Sequence, residues 1–157
     1  PGSVRLNDSS MLMVRQIAHV VDPPLGTRIA ATMTRLQQTV HGGGDALGEA
    51  KMLKAEMAEL IAAIDKRTIG EADMRAVLSG LVNDGLNGQF RDYAGAEQAT
   101  MAIGSVANFM YQRGALKSAK DVNGGLAQLQ AAVANDERYS PAQFQTALKN
   151  FRGSVGL

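Results

Sequence analysis

The sequence predicts an all-α protein, an irregular antiparallel bundle of about six to seven helices. Three observations carry this. Apolar residues recur at three- and four-residue steps almost throughout. The breaks in that rhythm coincide with residues that start and stop helices. No useful run alternates apolar and polar residues, and aromatic residues, which favour strands, make up 4% of the chain.

The elements follow in order. Asn7, Asp8, Ser9 and Ser10 offer N-caps for a first helix striped by Met11, Val14, Ile17, Ala18 and Val21. Asp22-Pro23-Pro24 ends it and starts the next, because Asp caps and Pro fits the first turn. Leu25, Ile29, Met33, Leu36 and Val40 form the cleanest stripe, which stops at a flexible hinge, Gly42-Gly43-Gly44. Asp45 can cap a third helix bearing Leu47, Ala50, Leu53, Met57, Leu60, Ile61 and Ile64. Thr68-Ile69-Gly70-Glu71 reads as a capping box for a fourth, with Met74, Val77, Leu78, Leu81 and Val82 inside and Gly85 as its stop.

Residues 84–94 read as the longest irregular stretch. A fifth helix carries Ala96, Ala99, Ile103, Val106, Ala107 and Met110 and stops at Gly114. The sixth, with Leu126, Leu129 and Val133, is weakened by Gly124-Gly125 near its start. Ser140-Pro141-Ala142-Gln143 opens the last helix, striped by Phe144, Ala147, Leu148 and Phe151 and ended by Gly153.

A chain of 157 residues suits one domain, here 4–157, with Pro1-Gly2-Ser3 reading as the remnant of a cleaved purification tag. All seven aromatics lie at or after Phe90, while six of the eight Met lie at or before Met74. The first half should therefore pack through Ala, Leu and Met, and the second through bulkier rings. One core unevenly supplied accounts for this more simply than a hairpin divided off at the Gly42–Gly44 hinge.

Sixteen Lys+Arg against 15 Asp+Glu leave +1, so nucleic acid is not the default partner. The remaining basic candidates are Arg113, Lys117 and Lys120 around one connection and Lys149 and Arg152 on the last helix. No apolar run approaches the length of a membrane span, roughly 20 residues. Zero Cys excludes disulfides, thiolate metal sites and a Cys nucleophile, and fits an exported bacterial protein without deciding between cytoplasm and periplasm or secretion.

No metal or cofactor is expected. His19 and His41 lack a partner at ligand spacing, and Met11 and Met13 stand about 200° apart on a helix, so they do not converge. Asn83 to Phe90 faintly echoes a calcium loop, but Gly85 and Ala94 occupy positions that need anionic ligands. Gly43 to Gly48 has P-loop spacing without the Lys and hydroxyl that must follow. Glu56, Glu59 and Asp65 share a helix and read as a solvated face. Glu97 reads as an anion favoured by the dipole of its helix's first turn.

The preferred reading is a non-enzymatic protein–protein interaction or self-assembly module. Its expected contact surface is Met11, Met13, Leu25, Met33 and Leu36 on the first two helices, because Met-rich faces adapt to partners. The alternative is a small-ligand-binding protein with an aromatic pocket between the fifth and last helices, formed by Phe90, Tyr93, Glu97, Phe109, Tyr111 and Phe144. A more remote one is an enzyme using Glu97 or Asp92 beside the 84–94 loop.

Overall fold

The structure is a computed structural model, and it describes residues 9–116 and 119–157, with the side chains of 119–121 left aside. The described residues are all-helical: α1 (Ser9–Val21), α2 (Pro23–His41), α3 (Leu47–Lys66), α4 (Glu71–Leu86), α5 (Tyr93–Gln112), α6 (Ala119–Ala132) and α7 (Pro141–Ser154), with a short 3-10 turn at Asp136–Arg138. None of these helices is long and apolar enough to cross a membrane. Contacts divide the chain into two compact units, Pro1–Asp73 and Met74–Leu157, with the boundary just inside α4.

The first unit packs α1, α2 and α3 together. Its core is Ala18, Leu25, Ile29, Met33, Leu36, Leu53 and Leu60, with Met11, Val14, Met57 and Ile64 against it. The α2 stripe is therefore core, as its spacing predicts, except that Val40 near the helix end is exposed. α1 and α2 meet closely at Gly26, where a Cβ would lie 2.7 Å from the His19 Cα, so only glycine fits without moving backbone. Leu47 and Ile61, expected on the α3 stripe, are exposed instead, because the buried arc of α3 centres on Leu53, Glu56 and Leu60.

That arc holds a correction. Glu56 is only 6% exposed, not part of a solvated face, and its Oε1 has no hydrogen-bond partner. Glu59, one turn on, does face solvent and pairs with Arg28 at 2.6 Å. That hydrogen bond is the main reason the Arg28 pKa rises further, with the Glu59 charge next and Glu56 and Asp22 adding smaller pulls.

The second unit places α6 against α7 and α5 against α6. Val77, Leu78, Leu81 and Val82 of α4 are buried, as are Ala99, Ile103, Val106 and Met110 of α5. Phe144, Leu148 and Phe151 supply the bulk from α7. Gly125, which weakens α6 in isolation, is where Phe151 sits: a Cβ there would come 2.8 Å from its ring. The stretch that costs helix propensity is thus a packing contact.

Several helix ends follow their sequence signals. Asp22 accepts from the Leu25 N–H at 3.2 Å, and Ser140 accepts from the Gln143 N–H at 3.3 Å, each ahead of a first-turn Pro. At α3 the N-cap is Ala46, without a side-chain cap, and Asp45 just before it accepts from the Leu47 N–H at 2.9 Å. Others shift. The acid serving the start of α4 is Asp73, which accepts from the Gly70 N–H at 3.2 Å and pairs with Arg67. α4 runs past Gly85, and α7 past Gly153 to Ser154. The Gly42–Gly44 run closes α2: Gly43 at φ +75° donates to the Val40 carbonyl and Gly44 to that of Thr39. Asn7 and Asp8 lie outside the described residues.

Candidate functional site

The irregular stretch between α4 and α5 is shorter than the sequence suggests, only residues 87–92. Its shape comes from its ends. α4 stops at a glycine cap in which Gly88, at φ +89°, donates to the Gly85 carbonyl and Gln89 to that of Asp84. α5 starts at Asp92, whose carboxylate accepts from the Gly95 N–H at 3.1 Å. A further tie comes from α7: Gln145 donates through Nε2 to the Gly85 carbonyl at 2.6 Å. The segment is held from three sides, and the letters that echo a calcium loop are a helix cap.

Between this segment and the start of α7 lies a cleft of about 640 Å³. Leu86, Asn87, Gly88, Phe90 and Arg91 form one side. Tyr139, Pro141, Ala142, Phe144 and Gln145 form the other. Tyr139 is its keystone. Its hydroxyl donates to the Arg91 carbonyl at 2.8 Å, fixing the two sides together. Its ring meets Tyr93 edge-on at 5.8 Å and Phe144 at 6.4 Å. Burial raises the Tyr139 pKa above that of a free phenol, and the charge of Asp92 adds to this.

Tyr93 donates to Glu97 at 3.0 Å, one turn along α5, and that bond is the first cause of its own raised pKa. Glu97 is thereby a positioned acceptor for a phenol behind the cleft wall. Asp92, the other carboxylate considered for chemistry, has one oxygen committed to its helix cap.

Of the residues expected in an aromatic pocket, Phe90 and Phe144 line the cleft, and Tyr93 backs it through Tyr139. Phe109 and Tyr111 do not reach it. They lie near the far end of α5, about 24 and 27 Å along the axis from Tyr93 at 1.5 Å per residue, and both are exposed. The Arg113 guanidinium lies 4.4 Å over the Phe109 ring. Lys117 and Lys120, expected beside Arg113 as a basic cluster, fall on 117–121 and so lie outside what the structure describes.

Of the cleft residues, sequence reading named only Phe90 and Phe144; among those it missed are Tyr139, Arg91 and Gln145. One signal marked the first: Tyr139-Ser140-Pro141 followed by Phe144 is a hydrophobic staple, in which the residue before the cap packs on the fourth helical residue.

The expected contact surface on α1 and α2 is placed differently. Leu25, Met33 and Leu36 are buried in the first unit's core, Met11 packs against that core, and Met13 is partly buried. The apolar surface that the second unit does present is on α5. From Gln98 to Gln112 this helix carries no charged residue, and Met101, Phe109 and Tyr111 are 54%, 39% and 41% exposed. His19 and His41 are exposed, and no cluster of three metal-ligating side chains occurs among the described residues.

No protein family, curated protein or solved structure compared with the chain matches it.

Proposed function

We propose that this chain is a non-enzymatic helical interaction module, acting by self-association or by binding a protein partner, and that α5 carries its contact surface. The observation behind this reading is the uncharged Gln98–Gln112 stretch, whose exposed arc carries Met101 with Phe109 and Tyr111 about 80° to either side of it. Charged residues are normally what keeps the outer face of a surface helix in water. Interface centres are depleted in charge and enriched in Tyr, Phe and Met. This moves the contact surface from the first two helices, where Leu25, Met33 and Leu36 already serve a core, to the second unit.

Native mass spectrometry and light scattering of the purified chain test it, with Met101→Lys plus Tyr111→Lys as the comparison. A dimer or larger assembly that the double variant returns to a folded monomer is the expected result. A wild-type protein that stays monomeric at high concentration excludes self-association, and pull-downs with wild type and variant then decide the partner arm. Equal capture by both proteins would remove α5 as the surface.

A further inference from the structure

We propose that the cleft between residues 86–91 and the start of α7 is a binding site for a small organic acid, with Arg91 receiving its anionic group and the aromatic wall its apolar body. The inference goes beyond the interaction surface on α5 and is independent of it.

Size comes first. About 640 Å³ is in the range of sites that take small molecules, commonly 300–1,000 Å³. The wall chemistry is the second point. Phe90 and Tyr139 line the cleft with Leu86 and Pro141, and the largely buried Phe144 ring lies 6.4 Å from that of Tyr139. Such walls hold a ring or short hydrocarbon by exclusion of water.

The third point is what remains to bind polar atoms. The Tyr139 hydroxyl proton is spent on the Arg91 carbonyl. Gln145 spends an amide proton on Gly85. Arg91 is different: among the described residues only its backbone carbonyl is engaged, and its side chain runs beside Gly88, Nε lying 3.7 Å from where a Cβ would stand. The guanidinium is exposed and joins neither ion pair of the described residues, which are Arg28–Glu59 and Arg67–Asp73. It is the one charged group on the cleft wall. The neighbouring carboxylate, Asp92, accepts from the Gly95 N–H and does not line the cleft, although its charge reaches the Tyr139 hydroxyl. A cleft that combines aromatic side chains, the amides of Asn87 and Gln145 and, among the described residues, Arg91 as its one charged lining group complements a ligand with one anionic group on an aromatic body, and a guanidinium binds a carboxylate or phosphate through paired hydrogen bonds.

Glycine at 88 fits this arrangement. Its positive φ closes α4 and brings the Arg91 stem alongside the turn, 3.7–4.0 Å from where a Cβ would stand.

The test is an amide-detected NMR titration of the full chain with phenylacetate, and with phenylacetamide as its neutral counterpart. Phenylacetate should shift amides in 86–91 and 139–145 and bind about tenfold more tightly than phenylacetamide, the difference expected for one charge-assisted contact. Arg91→Gln should bring phenylacetate down to the level of the amide. The variant should fold, since the Arg91 side chain is exposed, and near-UV circular dichroism checks this. Ala142→Trp, which fills the cleft from its exposed rim, should abolish binding of both probes. Equal affinity for the two probes, or phenylacetate binding indifferent to Arg91→Gln, would overturn the anion assignment. Absence of shifts in these two segments would overturn the site itself.

Discussion

Two adjacent glycines of α6 should respond in opposite directions to the same substitution. Alanine favours a helix interior over glycine by about 0.8–1.0 kcal/mol. At Gly124 a Cβ meets nothing within 4 Å, so Gly124→Ala should gain that full amount. At Gly125 the new Cβ would stand 2.8 Å from the Phe151 Cδ2 and 3.5 Å from its Cα. Carbon atoms prefer about 3.5–4.0 Å, so the ring must retreat by most of an ångström. Phe151 is fully buried and has nowhere free to go. Overpacking of this kind costs about 1–3 kcal/mol. Because the propensity term is common to both variants, their difference isolates the steric term: Gly125→Ala should be less stable than Gly124→Ala by about 1–3 kcal/mol.

The chain supplies its own probe. All three Tyr and all four Phe lie at or after Phe90 and there is no Trp, so near-UV circular dichroism reports on the second unit alone. For a unit of this size each kcal/mol moves the melting temperature by about 4–8 °C. A separation of at least about 4 °C between the two variants is expected. Combining Gly125→Ala with Phe151→Leu should recover part of the loss, as coupling between contacting residues requires. If the two glycine variants melt together, both above wild type, the close packing of α6 on α7 described here is wrong.

Glu56→Leu should stabilise the first unit by about 1–3 kcal/mol, since it replaces a buried carboxylate with an unpartnered oxygen by an apolar side chain; an unchanged or lower urea midpoint by far-UV circular dichroism refutes this. Met33→Asp should unfold the first unit, because Met33 sits in its core and a buried charge there has no partner; a helical, folded variant would return Met33 to the list of contact residues. Tyr139 has a folded pKa above the ordinary phenol value near 10, so the fold favours its protonated form. Its contribution is present below about pH 10 and fades as pH rises through the folded pKa. The denaturant midpoint of wild type should therefore fall more steeply above about pH 10 than that of Tyr139→Phe, and parallel curves would refute it. Asp92→Ala should cost the second unit about 1 kcal/mol through loss of the Gly95 cap, measured by the same near-UV melt.

Helix number, order and several starts were legible because they rest on local chemistry. Asp22-Pro23 and Ser140-Pro141 specify a cap and a first turn wherever the chain then travels. Ends were less legible, since Gly85 and Gly153 compete with Gly88 and Gly156 three residues on, and only the latter pair takes positive φ. Gly85 instead packs against Leu148: a Cβ would lie 2.6 Å from its Cδ1, and that side chain would have to shift. A glycine packed against a neighbouring helix and a glycine required by a cap look the same in one dimension. Glu56 shows the same limit. Its spacing puts it beside the Leu53–Leu60 arc, and whether the arc widens to bury it depends on how α2 sits against α3.

The cleft was half legible for a geometric reason. Its volume corresponds to a sphere about 11 Å across. A 20-residue helix such as α5 is about 30 Å long. Tyr93 and Tyr111 therefore could not share one small site, and helix length alone separates them before any coordinates are known. What length does not give is the convergence of Phe90 from one helix junction with Tyr139 and Phe144 from another. That convergence depends on the Tyr139 bond to the Arg91 carbonyl and on Gln145 reaching Gly85. Both are side-chain bonds to backbone, separated by 48 and 60 residues, and both act at helix ends where the chain leaves polar groups unsatisfied. The same requirement that each helix end find a partner thus draws two junctions together. The space left between them is walled by staple aromatics, and Arg91 is the charged group at its edge.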